Sequence, residues 1–212
     1  IMSLGRTCFV LVVVGCLAAA VPARAALVGY WPFEGNPNDA SGTGNDWTLS
    51  GGPGYAAGIV GQALSLDGTD DYGYVGDNPS LRIGPSTASM WINPSVQPAE
   101  LWTGAIGKPG RNFNMWMGNS DDSHGTGGGF IHHRWRDGGN WNDGADNTPS
   151  GSVPFGTWTH VVITNDGERA FTYLNGQNVA RGTLSDLGIN NTPLYLSKHL
   201  DNTQANRLVK GL

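Results

Sequence analysis

Two turn dipeptides, Asp166-Gly167 and Asn175-Gly176, punctuate the stretch Trp158 to Val179, WTHVVITNDGERAFTYLNGQNV. Both suit tight two-residue turns, because such turns need positive φ, which Gly and Asn tolerate. Between them Phe171 and Tyr173 alternate with Thr172 and Leu174, and before them Val161 and Ile163 alternate with Val162 and Thr164. A period of two predicts strands. The stretch therefore predicts three consecutive antiparallel strands in a meander. Apolar residues on both faces place these strands in the centre of a packed sheet and away from an exposed edge.

Similar short runs recur upstream. Strands are predicted at Leu27–Phe33, Asp46–Ser50, Gln62–Asp67, Tyr72–Val75, Ser89–Asn93, Thr103–Lys108, Asn112–Met117 and Phe130–Trp135. Asn36–Asn45 and Gly51–Gly61 read as loops by composition, and Asp67–Asp71 as a turn. No stretch holds an apolar 3.6 period over a useful length. A chain of 212 residues, with 33 Gly, 12 Pro and only 14% charged residues, suits one β-rich domain with a substantial core. A formal net charge of -5 argues against a nucleic-acid partner.

The first 25 residues read as a signal peptide. Arg6 supplies the positive region, Cys8 to Val21 the apolar run, and Ala23-Arg24-Ala25 the small-x-small cleavage site. The apolar run is short for a membrane span, so none is expected in the mature chain. A rival reading takes Val13-Val14-Gly15-Cys16 as a lipoprotein signal. Cys8 and Cys16 are the only cysteines, so cleavage after Ala25 leaves a domain without disulfides or thiolate ligands.

The residues Trp158, His160, Val161, Thr164, Asp166 and Gly167, then Phe171, Tyr173, Asn175, Gly176 and Val179, resemble the core of the LamG-like jellyroll domains. These belong to the concanavalin A-like lectin/glucanase group. Three further blocks resemble the family in order: Tyr30 to Glu34 with Asp39-Ala40-Ser41-Gly42, Gly61 to Tyr72, and Met90 to Pro94. The resemblance covers residues 26–212 and implies an all-β, two-sheet antiparallel jellyroll sandwich. The chain departs from the family at the long Asn119–Ser152 segment. It also stops at Lys210-Gly211-Leu212, where the family's last strand would begin, and starts with Ile. It is therefore expected to be a C-terminally incomplete fragment.

Catalysis is weighed because the group includes glycoside hydrolases. A retaining glycosidase needs two carboxylates at close range. Glu34, Glu100 and Glu168 are the only glutamates, and no two share a strand. No G-x-S-x-G element is present either. No catalytic residue is therefore assigned. His132 and His133 are adjacent on a predicted strand, so they face opposite sides and cannot share one ion. His160 reads as a structural histidine hydrogen-bonded beside the core.

Calcium favours several oxygens from flexible loops. The resemblance implies a structural calcium, with Glu34, Asp39, Asn45, Asp67, Asp70 and Asp71 as candidate ligands. The plainer alternative is that these residues cap turns. Within Gly127–Asn147, the residues Trp135, Trp141, Arg134, Asn140, Asn142 and Asp143 form a candidate ligand site. Aromatic faces stack on sugar rings while amides and guanidinium groups bond hydroxyls. Alternatively, Trp135 fills the core and Trp141 pins a loop. The combined reading is a non-catalytic carbohydrate-binding module, secreted, extracellular or held at the cell surface. A protein-binding adhesion module is the alternative, with a cell-surface protein as partner, and a glycan-active hydrolase comes third.

Overall fold

The computed structural model describes residues 25–82, 84–96, 102–111, 113–118, 129–134, 144–145, 147–184 and 189–198. Among these the regular elements are antiparallel strands and two short 3-10 turns, with no α-helix. The strands are β1 (Thr48–Ser50), β2 (Gly54–Ala57), β3 (Gln62–Ser65), β4 (Tyr72–Val75), β5 (Ser86–Ile92), β6 (Trp102–Gly107) and β7 (Asn114–Gly118). They continue with β8 (Phe130–Arg134), β9 (Gly144–Ala145), β10 (Thr159–Asn165), β11 (Arg169–Leu174), β12 (Gln177–Thr183) and β13 (Leu194–Leu196).

The strands form a seven-stranded sheet, β1-β4-β13-β6-β7-β8-β9, a four-stranded sheet, β12-β11-β10-β5, and the hairpin β2-β3. Strand β13, late in sequence, sits between β4 and β6, so one strand from the end of the chain joins two early parts of the sheet. The core lies between the inner faces of the two large sheets. Met115, Met117, Ile131, Leu194 and Leu196 from one meet Ile92, Val161, Ile163 and Leu174 from the other. The two-sheet jellyroll expected from the sequence is the fold observed.

The meander forms as β10, β11 and β12, paired in sequence. At Asn175-Gly176 both turn residues have positive φ, 49° and 81°, as a primed two-residue turn requires. The first turn lies one residue further on than expected. The Asp166 N–H donates to the Arg169 carbonyl at 3.1 Å, so Gly167 and Glu168 occupy the centre. The Asp166 carboxylate drives this shift, because its Oδ1 accepts from the N–H groups of Glu168 and Arg169 at 2.9 and 2.7 Å.

Three expectations are corrected. Strand β12 is an edge of its sheet among the described residues, and β10 alternates between buried and half-buried positions. The apolar outer side of the meander is thus partly open and is not a second core face. Leu27–Phe33 is extended but joins no ladder. Pro32 has no N–H to give, Phe33 takes a φ of 56°, and Trp31 is spent packing on Trp47 with ring centroids 5.3 Å apart. The Gly-rich Gly51–Gly61 segment, expected as loop, holds β2 because Tyr55 pairs with Leu64 and packs on the core.

Candidate functional site on the seven-stranded sheet

Directly opposed residues in an antiparallel sheet share a face. The register of the large sheet draws one line across all seven strands: Thr48, Tyr74, Tyr195, Gly107, Asn114, Arg134 and Gly144. A second line, two residues along β1, β4, β7 and β8 and three along β6, where the register shifts, holds Ser50 with Tyr72, and Gly104 with Trp116 and His132. These positions alternate with core residues, so they form the outer face of the sheet. The face carries aromatic rings and hydrogen-bonding groups in place of aliphatic side chains.

At one end, Tyr74 and Tyr195 pair with ring centroids 6.1 Å apart, within the range of favourable tilted packing. The Lys198 ammonium lies 4.2 Å from the Tyr72 ring centre and 5.8 Å from that of Tyr195. At the other end, Trp116 and His132 stack at 5.2 Å with planes 16° apart, and His132 Nδ1 bonds Asn147 Oδ1. Trp116, His132 and Asn114 are buried, whereas the three tyrosines, Lys198 and Arg134 are partly exposed.

The centre of the face depends on Gly107. A Cβ there would collide with the Asn114 amide, which lies across the glycine and donates to the Lys108 carbonyl at 3.0 Å. Two non-glycine residues in the left-handed region each directly precede a face residue. Phe113 (φ 53°) precedes Asn114, and buried Ser197 (φ 59°) precedes Lys198. Such conformations persist where the surroundings over-determine them, and they aim the following side chain. The Ser197 N–H donates to the Ala105 carbonyl at 2.8 Å and so anchors the bend.

Of the six ligand-site residues expected from the sequence, the structure places Arg134, at the end of β8 opposite Asn114 and Gly144. Trp135, Asn140, Trp141, Asn142 and Asp143 lie outside the described residues. As expected, His132 and His133 point to opposite sides. His133 is fully buried between the sheets and meets Thr172 of β11, with Nδ1 and Oγ1 3.4 Å apart. Burial holds its imidazole down to a pKa of about 3, with further lowering by His132 and Arg134. His160 bonds Ser89 Oγ through Nε2 at 2.8 Å and lies against Trp91 on the outer face of the four-stranded sheet.

Sequence reasoning missed Tyr72, Tyr74, Trp116, Tyr195 and Lys198 as face residues. The signal for two of them was present in Tyr-Gly-Tyr-Val, where alternation puts both tyrosines on one side.

The six metal candidates fall into separate groups. Asp67, Asp70 and Asp71 offer carboxylate oxygens that all lie within 4.8 Å of one another. Asp67 Oδ1 accepts from the Thr69 N–H at 2.7 Å, which holds that carboxyl below its usual range, and Asp71 Oδ2 accepts from the Asp67 N–H at 2.9 Å. This group stands beside the start of β4, against Gly51.

Asp39 lies in a different knot. Its oxygens accept from the N–H groups of Tyr30, Ser41 and Asn45 and from the hydroxyls of Ser41 and Thr43, at 2.8 to 3.0 Å. Burial raises this carboxyl, but the hydrogen bonds led by Ser41 outweigh it and hold the group far below its usual range. These donors, with the single Thr43 hydroxyl proton shared between Asp39 and the Val28 carbonyl, fill the roughly four accepting sites of a carboxylate. Asn45 is buried, with its Nδ2 beside the Val28 carbonyl and the Thr43 and Ser80 hydroxyls. Glu34 accepts from the Gln62 N–H at 3.1 Å.

Residues 67–211 match the concanavalin A-like lectin/glucanases superfamily, in its laminin G type, and the chain belongs to this family. Its fold is similar to that of domain 4 of AbnA, a GH43 extracellular arabinanase from Geobacillus stearothermophilus, solved with arabinotriose. The TM-score is 0.60 at 20% identity, over 89% of this chain and 91% of that one. The binding domain of Paraclostridial Mosquitocidal Protein 1 is also similar, with a TM-score of 0.54 at 16% identity, over 82% of this chain and 45% of that one. So is the binding domain of Botulinum Neurotoxin DC, solved with SialylT, with a TM-score of 0.53 at 16% identity, over 82% and 43%. No curated protein sequence matches the chain.

Proposed function

We propose that this chain is a secreted, non-catalytic binding module whose ligand is a carbohydrate. The observation that carries the reading is the rank of tyrosines, asparagine and arginine across the outer face of the seven-stranded sheet. Tyrosine rings offer apolar faces to the C–H side of a sugar and hydroxyls to its edge. Arg134 brings a guanidinium to the end of the same line, Asn114 shapes its centre through the bond to the Lys108 carbonyl, and the expected Trp135, Trp141, Asn140, Asn142 and Asp143 follow Arg134 in sequence. A domain of the same fold in an extracellular arabinanase takes arabinotriose, which supports a glycan as the ligand class.

The non-catalytic part of the reading rests on the carboxylates. Glu34 is tied to the Gln62 backbone and Glu168 sits in the β10–β11 turn, so neither stands on the tyrosine face. Residues 1–25 act as the signal peptide and 26–212 as the jellyroll in this proposal. Among the described residues no helix is long and apolar enough to cross a membrane.

Calorimetric titration against a panel of plant and bacterial polysaccharides tests the proposal. Tyr195→Ala is expected to weaken binding about tenfold, the loss of one stacking platform. A protein that binds no glycan sinks the reading.

Calcium is the proposed ion, held by Asp67, Asp70 and Asp71 at the rim of that face. Three carboxylates so close repel one another unless a cation or protons intervene.

The adhesion reading has one observation of its own. Trp91 is 45% exposed on the other sheet, packed at 5.0 Å against His160. Exposed tryptophan is a frequent anchor of protein interfaces. Capture of a cell-surface protein that Trp91→Ala abolishes and Tyr195→Ala leaves intact would favour it.

A further inference from the structure

We infer that the ligand is an anionic glycan, one bearing carboxylate or sulfate groups, and that Lys198 reads its charge. The inference rests on the carbohydrate reading above and deepens it. Lysine is scarce here: Lys108, Lys198 and Lys210 are the only three in the chain, which carries a net charge of -5. Lys108 is buried and spends its ammonium on the carbonyls of Leu81 and Asn190 at 2.9 and 3.1 Å. Lys198 is partly exposed and stands on the tyrosine face, between the rings of Tyr72 and Tyr195.

Among the described residues the charged side chains of that face are cationic. Arg134 stands at the other end of the rank that holds Tyr195. The strand positions of the face hold Thr48, Ser50, Tyr72, Tyr74, Tyr195, Asn114, Trp116, His132 and Arg134, and no acidic side chain among the described residues. The nearest acids along the strands, Asp70 and Asp71, precede Tyr72 and are gathered with Asp67. Tyr195 and Arg134 are three strand spacings apart, roughly 14 Å, the span of a short oligosaccharide. An acidic net charge with cations on one aromatic face is the complementarity expected for an acidic ligand.

The backbone supports the placement. Ser197 holds a left-handed φ of 59° while fully buried, and the next residue is Lys198. The bend is held by the Ala105 carbonyl of β6, so the ammonium is positioned by the sheet itself. Tyr72 and Tyr195 hold the ammonium itself at the tyrosine face by cation–π contact, where its N–H groups can also donate to an anion lying across the rings.

The test uses the full chain and two matched pairs of polymers. Polygalacturonate is compared with its carboxyl-reduced product, and a sulfated galactan with its desulfated product, by calorimetry at low and high salt. Binding to one acidic polymer at least about tenfold tighter than to its neutral partner is expected, the worth of a single charge-assisted hydrogen bond. The preference should shrink with salt. K198Q should lose the preference, so that its ratio of acidic to neutral affinity falls to about one, while Tyr195→Ala weakens both members of the pair and leaves the ratio in place. Preference in the first pair identifies a carboxylate reader, and in the second a sulfate reader. The wild-type comparison needs no variant, so a K198Q protein that fails to fold leaves the test decisive. Equal or tighter binding of the neutral partners, with the Tyr195→Ala loss intact, overturns the charge inference and spares the carbohydrate reading. Binding to no glycan overturns both.

Discussion

Lowering the pH from 7.5 to 5 should destabilise this domain through one side chain, His133. It is fully buried between β8 and β11, and burial, His132 and Arg134 together hold its pKa at about 3, against 6.5 for a free imidazole. A folded-state pKa below the unfolded value means that the unfolded chain binds the extra proton. The stability is then fully present above pH 6.5 and drains away as the pH falls towards 3. Each pH unit inside that window costs about 1.4 kcal/mol. Between pH 7.5 and 5 the loss is about 2 kcal/mol, and the ceiling at lower pH is about 5 kcal/mol. Asp39 loses its own contribution only as the pH falls to the ordinary carboxylate value of 3.8, which lies below the interval from 6.5 to 4.5. Urea unfolding at a series of pH values measures the effect, read from the midpoint at constant m-value. H133Q keeps a polar group near Thr172 without a proton to gain, so its midpoint should stay level across the window. A wild-type midpoint that is unchanged from pH 7.5 to 5, or an H133Q slope equal to that of wild type, refutes the reasoning.

Chelation by EDTA should lower the melting temperature, and Asp71→Asn should remove that response. The ion adds about 2.7 kcal/mol when present at a hundred times Kd. Asp39→Ala strands the donors of Tyr30, Ser41, Thr43 and Asn45 and should cost about 2–3 kcal/mol in urea unfolding, whether or not EDTA is present. Asn175→Val forces a β-branched residue into a φ of 49° and should cost about 1–2 kcal/mol, whereas Asn175→Gly should be far milder. Gly107→Ala would push the Asn114 amide off the sheet face, so glycan affinity measured by calorimetry should fall.

The fold was legible where its causes are local. Alternation in Val161–Thr164 and Phe171–Leu174, with Asn-Gly at the turn, leaves few alternatives to a meander, because a one-residue slip would turn the core set to solvent. The site was less legible, because the face is assembled by register between strands far apart in sequence. Tyr195 reaches Tyr74 only because β13 enters between β4 and β6. Nothing in Leu-Tyr-Leu announces that pairing. Lys108 and His133 have polar sequence identities but buried positions, and partners distant in sequence, Leu81 and Asn190 for the first and Thr172 for the second, help to make those positions tolerable.

The acids show where a finer reading of the sequence would have separated structure from chemistry. Asp39, Ser41, Thr43 and Asn45 recur every second residue, and the last three converge on the Asp39 carboxylate. An acid followed by short donors at that spacing is consumed by its own turn, which removes Asp39 as a free metal ligand. Asp67, Asp70 and Asp71 follow a different logic, since the donors in Asp67-Gly68-Thr69-Asp70-Asp71 are backbone N–H groups and the side chains are themselves mostly acceptors. Two of these N–H groups reach Asp67 Oδ1 and one reaches Asp71 Oδ2, and each of the three carboxylates keeps an oxygen within 4.8 Å of the others. Excess acceptors gathered without matching donors favour a cation, whereas the same residue type beside three short donors favours a closed turn. EDTA combined with Asp39→Ala and Asp71→Asn separates the two cases. Additive effects of EDTA and Asp39→Ala, together with non-additive effects of EDTA and Asp71→Asn, would place the ion in the second loop and leave the first as a purely structural clasp.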